Sequence, residues 1–332
     1  MLKLIELENE LKTKVTLCSF GASIYDIQTL DKYGNLESIV VVSNDEEIFK
    51  YNDGYHGKTI GRISGRIKDS KFILNGKEYS IPTNDPNGLH GGNDSISFRN
   101  FNTNVVELEE LYRVEFTYDS PHMESGFPGN ANISVIYNFY KKENKLEVVY
   151  EAISDEDTLM NITNHTYFNL SGNNKRNILD HKLYINSSKM LKLENMIPTK
   201  IVECEEKYSF KNAHKIGDYI FDSEIKALAN GYDFPYIFDE KNVFLDNVIL
   251  EDEVSGRRIS VSTTYPAVVI YTCNYPGGLV VNSNKKELEI HGAICLECQY
   301  LPNGINSDFI DNKDDILRKN EKYFNKMIYK FN

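Results

Sequence analysis

Tryptophan is absent from this 332-residue chain and cysteine is scarce, with five. Without an indole, stacking on a ligand face falls to some of the 22 tyrosines and 17 phenylalanines, which do it less strongly. An odd, small cysteine count suits reduced thiols better than a disulfide framework. Cys295 and Cys298 spell C-x-x-C, but there is no second pair, and in a strand their sulfurs point to opposite faces, which disfavours zinc or redox use.

Long apolar runs are also missing. Acids interrupt the first ten residues, which excludes a signal-peptide core, and no later run is long enough for a membrane-crossing helix. The expectation is a cytoplasmic protein, so its Asn-x-Ser/Thr sequons carry no weight. Positive charge is outnumbered, 37 Lys and Arg against 49 Asp and Glu, for a formal net charge of -12. That balance opposes phosphate backbones and anionic bilayers, so neither nucleic acid nor a membrane is an expected partner. A hydrophobic content of 41% excludes extensive disorder.

Helical periodicity is scarce as well. Only residues 222–229 and 314–324 read as helices, both short and charged. The rest is strand-like: residues 15–27, 39–42, 71–79 around an Asn75-Gly76 hairpin turn, 114–118, 135–140, 146–150, 182–185, 243–250, 258–262 and 268–272. Strands that do not alternate with helices exclude βαβ units, and the expected fold class is all-β, a large sandwich. With no linker, composition shift or repeat, residues 1–332 read as one domain.

What the chain does have is one polar stretch, residues 161–172, with a histidine set among amides, hydroxyls and aromatics. As a strand it places Thr163, His165, Tyr167 and Asn169 on one face and Phe168 and Leu170 on the other. A half-buried strand with its polar face in water is the commoner explanation of such a pattern, so other stretches must shift the balance. Arg62 and Arg66 sit four apart among glycines, and glycine lets backbone pack closely around a bound group, which makes Arg66 a candidate. The turn-rich loop at residues 84–92 ends in His90 beside two glycines; it lacks the Lys-Ser/Thr or following helix of a phosphate loop. Glu297 is an acid inside an apolar strand, sharing its face with Cys295 and Gln299, and burial of such a group demands a partner or a task. His56, His122, His181, His214 and His291 lack metal-ligand spacing and read as structural or surface residues.

Together, Ile60-Gly61-Arg62 with Arg66-Ile67, Leu89-His90-Gly91-Gly92, Asn164-His165-Thr166-Tyr167-Phe168-Asn169-Leu170 and Leu296-Glu297-Cys298-Gln299, in that order, make the chain resemble the aldose 1-epimerase (galactose mutarotase) family. Weaker echoes at Ser120-Pro121, Gly126-Phe127-Pro128-Gly129, Ile197-Pro198-Thr199, Tyr232-Asp233 and Thr263-Thr264-Tyr265-Pro266 extend the resemblance over nearly the whole chain. It implies a single-domain β-supersandwich, no cofactor, no metal, and interconversion of the α and β anomers of a free sugar by a monomer or homodimer. On that pattern His165 is the acid, Glu297 the base and His90 a second donor. Arg66, Asp233, Asn164 and Tyr167 would hold the sugar. An ionised Glu297 would take the C1 hydroxyl proton and a His165 imidazolium would protonate the ring oxygen.

The chain departs from the family pattern at Gly65, where Asn is usual, at Phe234-Pro235 after Asp233, at Val269, where glutamine is frequent, and at His122-Met123. The departures leave the preferred sugar open. Three alternatives follow: a hexose-phosphate epimerase, a glycoside hydrolase using Asp233 and Glu297, and a non-catalytic sugar-binding protein.

Overall fold

Two antiparallel sheets hold most of the strand residues in a computed structural model that describes residues 2–332 apart from 44, 53, 241, 282 and 312. The larger has nine strands. It opens with a meander of Asn102–Glu107, Leu111–Ser120, Ala131–Tyr140 and Lys145–Ser154, in which each strand pairs with the next. The last strand of the chain, Lys322–Phe331, then inserts between Lys145–Ser154 and Arg257–Thr263. Val248–Asp252, Lys182–Ile185 and His214–Lys215 complete it.

The second sheet has six strands in the order Tyr167–Phe168, Ile294–Gln299, Ala267–Tyr271, Asp233–Ile237, Lys189–Glu194, Ile197–Glu203. Apolar residues of both sheets, among them Val114, Ile133, Val148, Met327, Phe234, Ile270 and Leu296, belong to one continuous core cluster. Alternation explains how: in Lys322–Phe331, Tyr323, Asn325, Met327, Tyr329 and Phe331 are buried at every second position. A four-stranded sheet, Leu4–Glu8 to Leu36–Ser38, and several two-residue pairings add to these.

The all-β expectation holds, and one of the two expected helices forms. Ser223–Ala229 is helical, with the Asp222 side chain accepting from Glu224 N–H at its N-terminus. Residues 314–324 do not form a helix: Ile316–Leu317 pairs with Thr158–Leu159, and the final strand begins at Lys322. The charges that suggested a solvated helix face lie in turns, and the period-two apolar pattern that follows them wins. Residues 39–42 are buried but form no strand of their own beyond single bridges; the neighbouring strand is Leu36–Ser38. The strand expected over 243–250 starts only at Val248. Residues 161–172 are not one strand but two short ones, Thr163–Asn164 against Thr59–Ile60 and Tyr167–Phe168 against Ile294–Gln299. The shared face therefore breaks up. Thr163 donates to Cys298 O (2.7 Å) and Asn169 donates to Arg176 O (2.6 Å) and Gly292 O (2.7 Å), so only His165 and Tyr167 reach the cavity described next.

Among the described residues no helix is long and apolar enough to cross a membrane.

Candidate active site

Ile294–Gln299 is an interior strand of the six-stranded sheet, and all six of its residues are buried. Alternation sends Ile294, Leu296 and Cys298 into the main core and leaves Cys295, Glu297 and Gln299 on the other face. The cross-strand register tiles that face. Asp233, Tyr271 and Cys295 form one row, and Pro235, Val269 and Glu297 the next. This surface floors a cavity of about 450 Å³. Its polar lining includes Arg66, Asp85, His90, His165, Asp233, Glu297 and Gln299, whereas Leu193, Met196, Leu228, Ala229, Pro235 and Val269 make an apolar wall.

His165 is pinned through its backbone, donating to Lys58 O and accepting from Gly57 N–H, both at 2.9 Å. Asn164 reinforces this segment: its Nδ2 donates to Gly57 O (3.0 Å) and its Oδ1 accepts from the N–H and hydroxyl of Thr166. Fully buried and committed to these bonds, Asn164 does not line the cavity; it shapes the turn that presents His165. The imidazole then lies along the Ile294–Gln299 strand. Nδ1 is 3.4 Å from Cys295 Sγ, and Nε2 is 3.4 Å from Glu297 Oε1. Tyr167 lines the cavity too, stacked on His56 with ring centroids 4.2 Å apart and lying beside His165 at 5.0 Å.

His90 reaches the same point from its glycine-rich loop, where it and the two following glycines all have positive φ. A Cβ at Gly91 would fall 2.7 Å from Gly61 O, so glycine is required there. The His90 N–H donates to Gly65 O (3.0 Å), and Gly65 N–H donates to His90 Nδ1 (3.2 Å). Because Nδ1 accepts, a neutral His90 carries its proton on Nε2 and is a donor there. The His90 and His165 rings meet edge to face at 5.2 Å.

Arg66 and Arg62 have opposite fates. Arg66 Nε donates to Asp85 Oδ2 (2.6 Å), and its Nη1 is 4.0 Å from Asp233 Oδ2. Arg62 turns away into the core, donating to the carbonyls of Ser120, Pro121, Pro128 and Gly129 and to the hydroxyls of Ser120 and Thr158. Gly65 between them, at φ 75°, has Pro302 against it: a Cβ there would lie 2.7 Å from Pro302 Cβ, so no side chain fits. The departure at Gly65 is thus built into the packing.

Burial sets the electrostatics. Desolvation lowers the His165 pKa to about 4 and holds that of His90 well below its ordinary value, with the neighbouring His165 and Arg66 acting the same way on His90. Desolvation raises Glu297 well above its ordinary value, helped by Asp233 and opposed by Arg66. Asp233 is also raised by burial, against the pull of Arg66. Burial thus favours a neutral carboxyl beside a neutral imidazole, one proton shift away from the expected carboxylate beside an imidazolium. Glu297 Oε2 and Gln299 Oε1 are buried without a partner among the described residues.

The nearest donor atoms of His90, His165 and Glu297 lie within 4.8 Å of one another. Ligands on a tetrahedral zinc ion stand roughly 3.3 Å apart, so the trio would have to draw together to hold one. Sequence reasoning missed Asp85, Tyr55 and Tyr271, and it named Gln299 only as a neighbour. Alternation from Glu297 was the available signal for Gln299; Asp85 was hidden as an ordinary turn acid, and nothing local marks Tyr55 or Tyr271.

Fold and site together define an all-β protein with a carboxyl–imidazole pair on the floor of a small-molecule cavity. The family model described as aldose 1-epimerase matches residues 3–330, and the chain belongs to that family. It is 31% identical to galactose mutarotase of Mus musculus over 322 residues, covering 96% of this chain and 90% of that one. With aldose 1-epimerase of Escherichia coli (strain K12) it shares 26% identity, over 99% of this chain and 95% of the other. Among solved structures, the GalM/aldose epimerase homologue of C. elegans superimposes with a TM-score of 0.90 at 25% identity, covering 100% and 99% of the two chains. Galactose 1-epimerase of Lactobacillus acidophilus NCFM gives 0.85 at 27% identity, covering 100% and 94%. The fold is that of the galactose mutarotases.

Proposed function

We propose that the protein is an aldose 1-epimerase, a single-domain cytoplasmic monomer or homodimer that interconverts the α and β anomers of a free hexose. The observation that carries the reading is the 3.4 Å approach of His165 Nε2 to Glu297 Oε1 on the floor of a cavity large enough for a sugar. Anomer exchange needs a proton to leave the C1 hydroxyl while another reaches the ring oxygen. A neutral carboxyl facing a neutral imidazole holds the same number of protons as a carboxylate facing an imidazolium, and one proton crossing between them converts the first pair into the second. Sugar hydroxyls and the nearby Arg66 favour the ionised form.

In that form Glu297 takes the hydroxyl proton, His165 protonates the ring oxygen, and the C1 to ring-oxygen bond breaks to give the open-chain aldehyde. Rotation about C1–C2 presents the other carbonyl face. Reclosure reverses both transfers and restores both carriers. His90, a donor at Nε2, steadies the ring oxygen. Arg66 and Asp233 bind hydroxyls, Tyr167 supports the His165 ring, and Asn164 acts through the backbone it holds. A positioned acid or base typically contributes ~10²–10⁴ in rate, so two such groups supply the acceleration without a cofactor.

A phosphorylated substrate is disfavoured by charge: among the described lining residues Arg66 is the one Lys or Arg, already paired with Asp85 and close to Asp233. A hydrolase reading would leave the His165–Glu297 pairing without a task. The test is polarimetry of freshly dissolved α-D-galactose and α-D-glucose with and without the protein. Acceleration of either beyond the buffer rate is expected; none with any free aldose sinks the proposal.

A further inference from the structure

Gln299 lies two residues beyond Glu297 on the same face of its strand, and it lines the cavity without exposing surface. Its orientation is set, because Nε2 donates to Tyr300 O at 3.2 Å. The other end of the amide, Oε1, is therefore the acceptor, and it is buried with no partner among the described residues. A buried acceptor left unpaired is costly and calls for a donor from elsewhere. The described neighbours at this end of the cavity give none. Gly65 has no side chain, its would-be Cβ standing 3.4 Å from Gln299 Nε2; Pro302 packs against Gly65; and Val269 sits across from Glu297.

Order along the strand says which sugar atom falls there. Cys295 meets His165 Nδ1, Glu297 meets Nε2, and Gln299 comes next in the same direction. On the proposed mechanism, His165 serves the ring oxygen and Glu297 the C1 hydroxyl. The atom that follows around the ring is C2.

Resting on that reading, we infer that Gln299 Oε1 accepts a hydrogen bond from the C2 hydroxyl, so the substrate class is aldoses bearing that hydroxyl, with 2-deoxy sugars discriminated against. The contact is indifferent to anomer, because C2 keeps its configuration. It also has a part in the open-chain stage: with O2 anchored, rotation about C1–C2 moves the aldehyde rather than the rest of the chain.

The experiment compares kcat/KM for D-galactose and 2-deoxy-D-galactose by NMR exchange, corrected for the uncatalysed rate, in the parent protein and in Gln299→Leu. The parent is expected to prefer galactose by about fivefold or more, the scale of one good hydrogen bond. In Gln299→Leu the ratio collapses toward one, mainly through loss of activity on galactose. Equal turnover of both sugars by the parent overturns the inference, as does an equal loss on both sugars in the variant, the mark of a purely structural role. Because the parent ratio is read first, the test survives a variant that folds poorly. Calorimetric binding of the two sugars separates the two proposals: a parent that turns over no aldose refutes the epimerase reading, and its binding preference for galactose or lack of one still decides the Gln299 contact.

Discussion

His165 Nε2 and Glu297 Oε1 stand 3.4 Å apart with almost no water access to either side chain. Desolvation drives each toward its neutral form, so what matters chemically is the number of protons the pair holds rather than which member holds them. With one shared proton the pair contains both an acid and a base. With two it lacks a base, and with none it lacks an acid.

Removing either proton carrier should therefore abolish turnover rather than binding. Glu297→Gln and His165→Asn are each expected to cut kcat by at least ~10² while sugar binding largely survives. Steady-state polarimetry combined with calorimetry reads both quantities. Mutarotation at the parent rate by either variant would remove that residue from the mechanism.

The pH profile follows from the same count. On the acid side the second proton arrives with His165, whose pKa burial lowers to about 4, so activity should persist through pH 5 and fall only as pH 4 is approached. On the alkaline side the last proton leaves late, because burial holds Glu297 well above its ordinary value. A bell in kcat/KM with an acid limb displaced below that of a solvated imidazole is expected. An acid limb near 6.5, the ordinary histidine value, would mean that His165 is not the buried group that titrates.

How far the sequence leads can be seen in particular residues. Glu297 was legible because an acid in an apolar strand violates the usual pattern, and His90 because a histidine followed by two glycines on a turn-rich loop is more suggestive of a site than one in a core. Period-two alternation correctly divided Cys295, Glu297 and Gln299 from Cys298. The division failed at residues 161–172, where a turn between two short strands, held by Asn164, reorients the chain; a local period cannot reveal a turn stabilised by bonds to Gly57 and Lys58, about a hundred residues away in sequence. Arg62 and Arg66 look alike in sequence, and only packing separates a core arginine satisfied by carbonyls from one facing a cavity. Charge density misled at 314–324, where sheet pairing of the following residues overrides local helix preference.

Arg66 and Asp233 should act on affinity. A guanidinium fork and a carboxylate suit hydroxyl binding, and hydrogen bonds to charged groups are worth ~1.5–3 kcal/mol, so Arg66→Ala or Asp233→Ala should raise KM about tenfold or more with a smaller effect on kcat. Asp85→Asn should resemble a weaker Arg66 variant, since Asp85 holds the guanidinium through Nε at 2.6 Å. If KM for the best sugar were unchanged in the Arg66 and Asp233 variants, neither residue would be a binding residue.

His181 offers a test of burial that is independent of activity. Fully buried, it accepts Leu170 N–H at Nε2 (2.9 Å) and has no partner at Nδ1 among the described residues. Desolvation lowers its pKa to about 4, although Asp252 and Asp180 pull upward while Arg176 pushes down. The folded value lies below the ordinary 6.5, so as pH falls the unfolded chain takes up this proton first. The stability contributed by a neutral His181 is thus complete above about pH 6.5 and is lost as pH falls toward 4, amounting to roughly 3 kcal/mol across that window. The whole-protein curve will not display this cleanly. Asp26, Asp233, Asp315 and Glu297 are raised by burial and contribute with the opposite sign as pH falls. A difference measurement isolates it: His181→Gln keeps an acceptor for Leu170 N–H and does not titrate, so the stability of the parent relative to this variant, from urea unfolding, should drop by about that amount between pH 7 and pH 4. A difference that stays constant over this range would show that His181 titrates alike in the folded and unfolded chains.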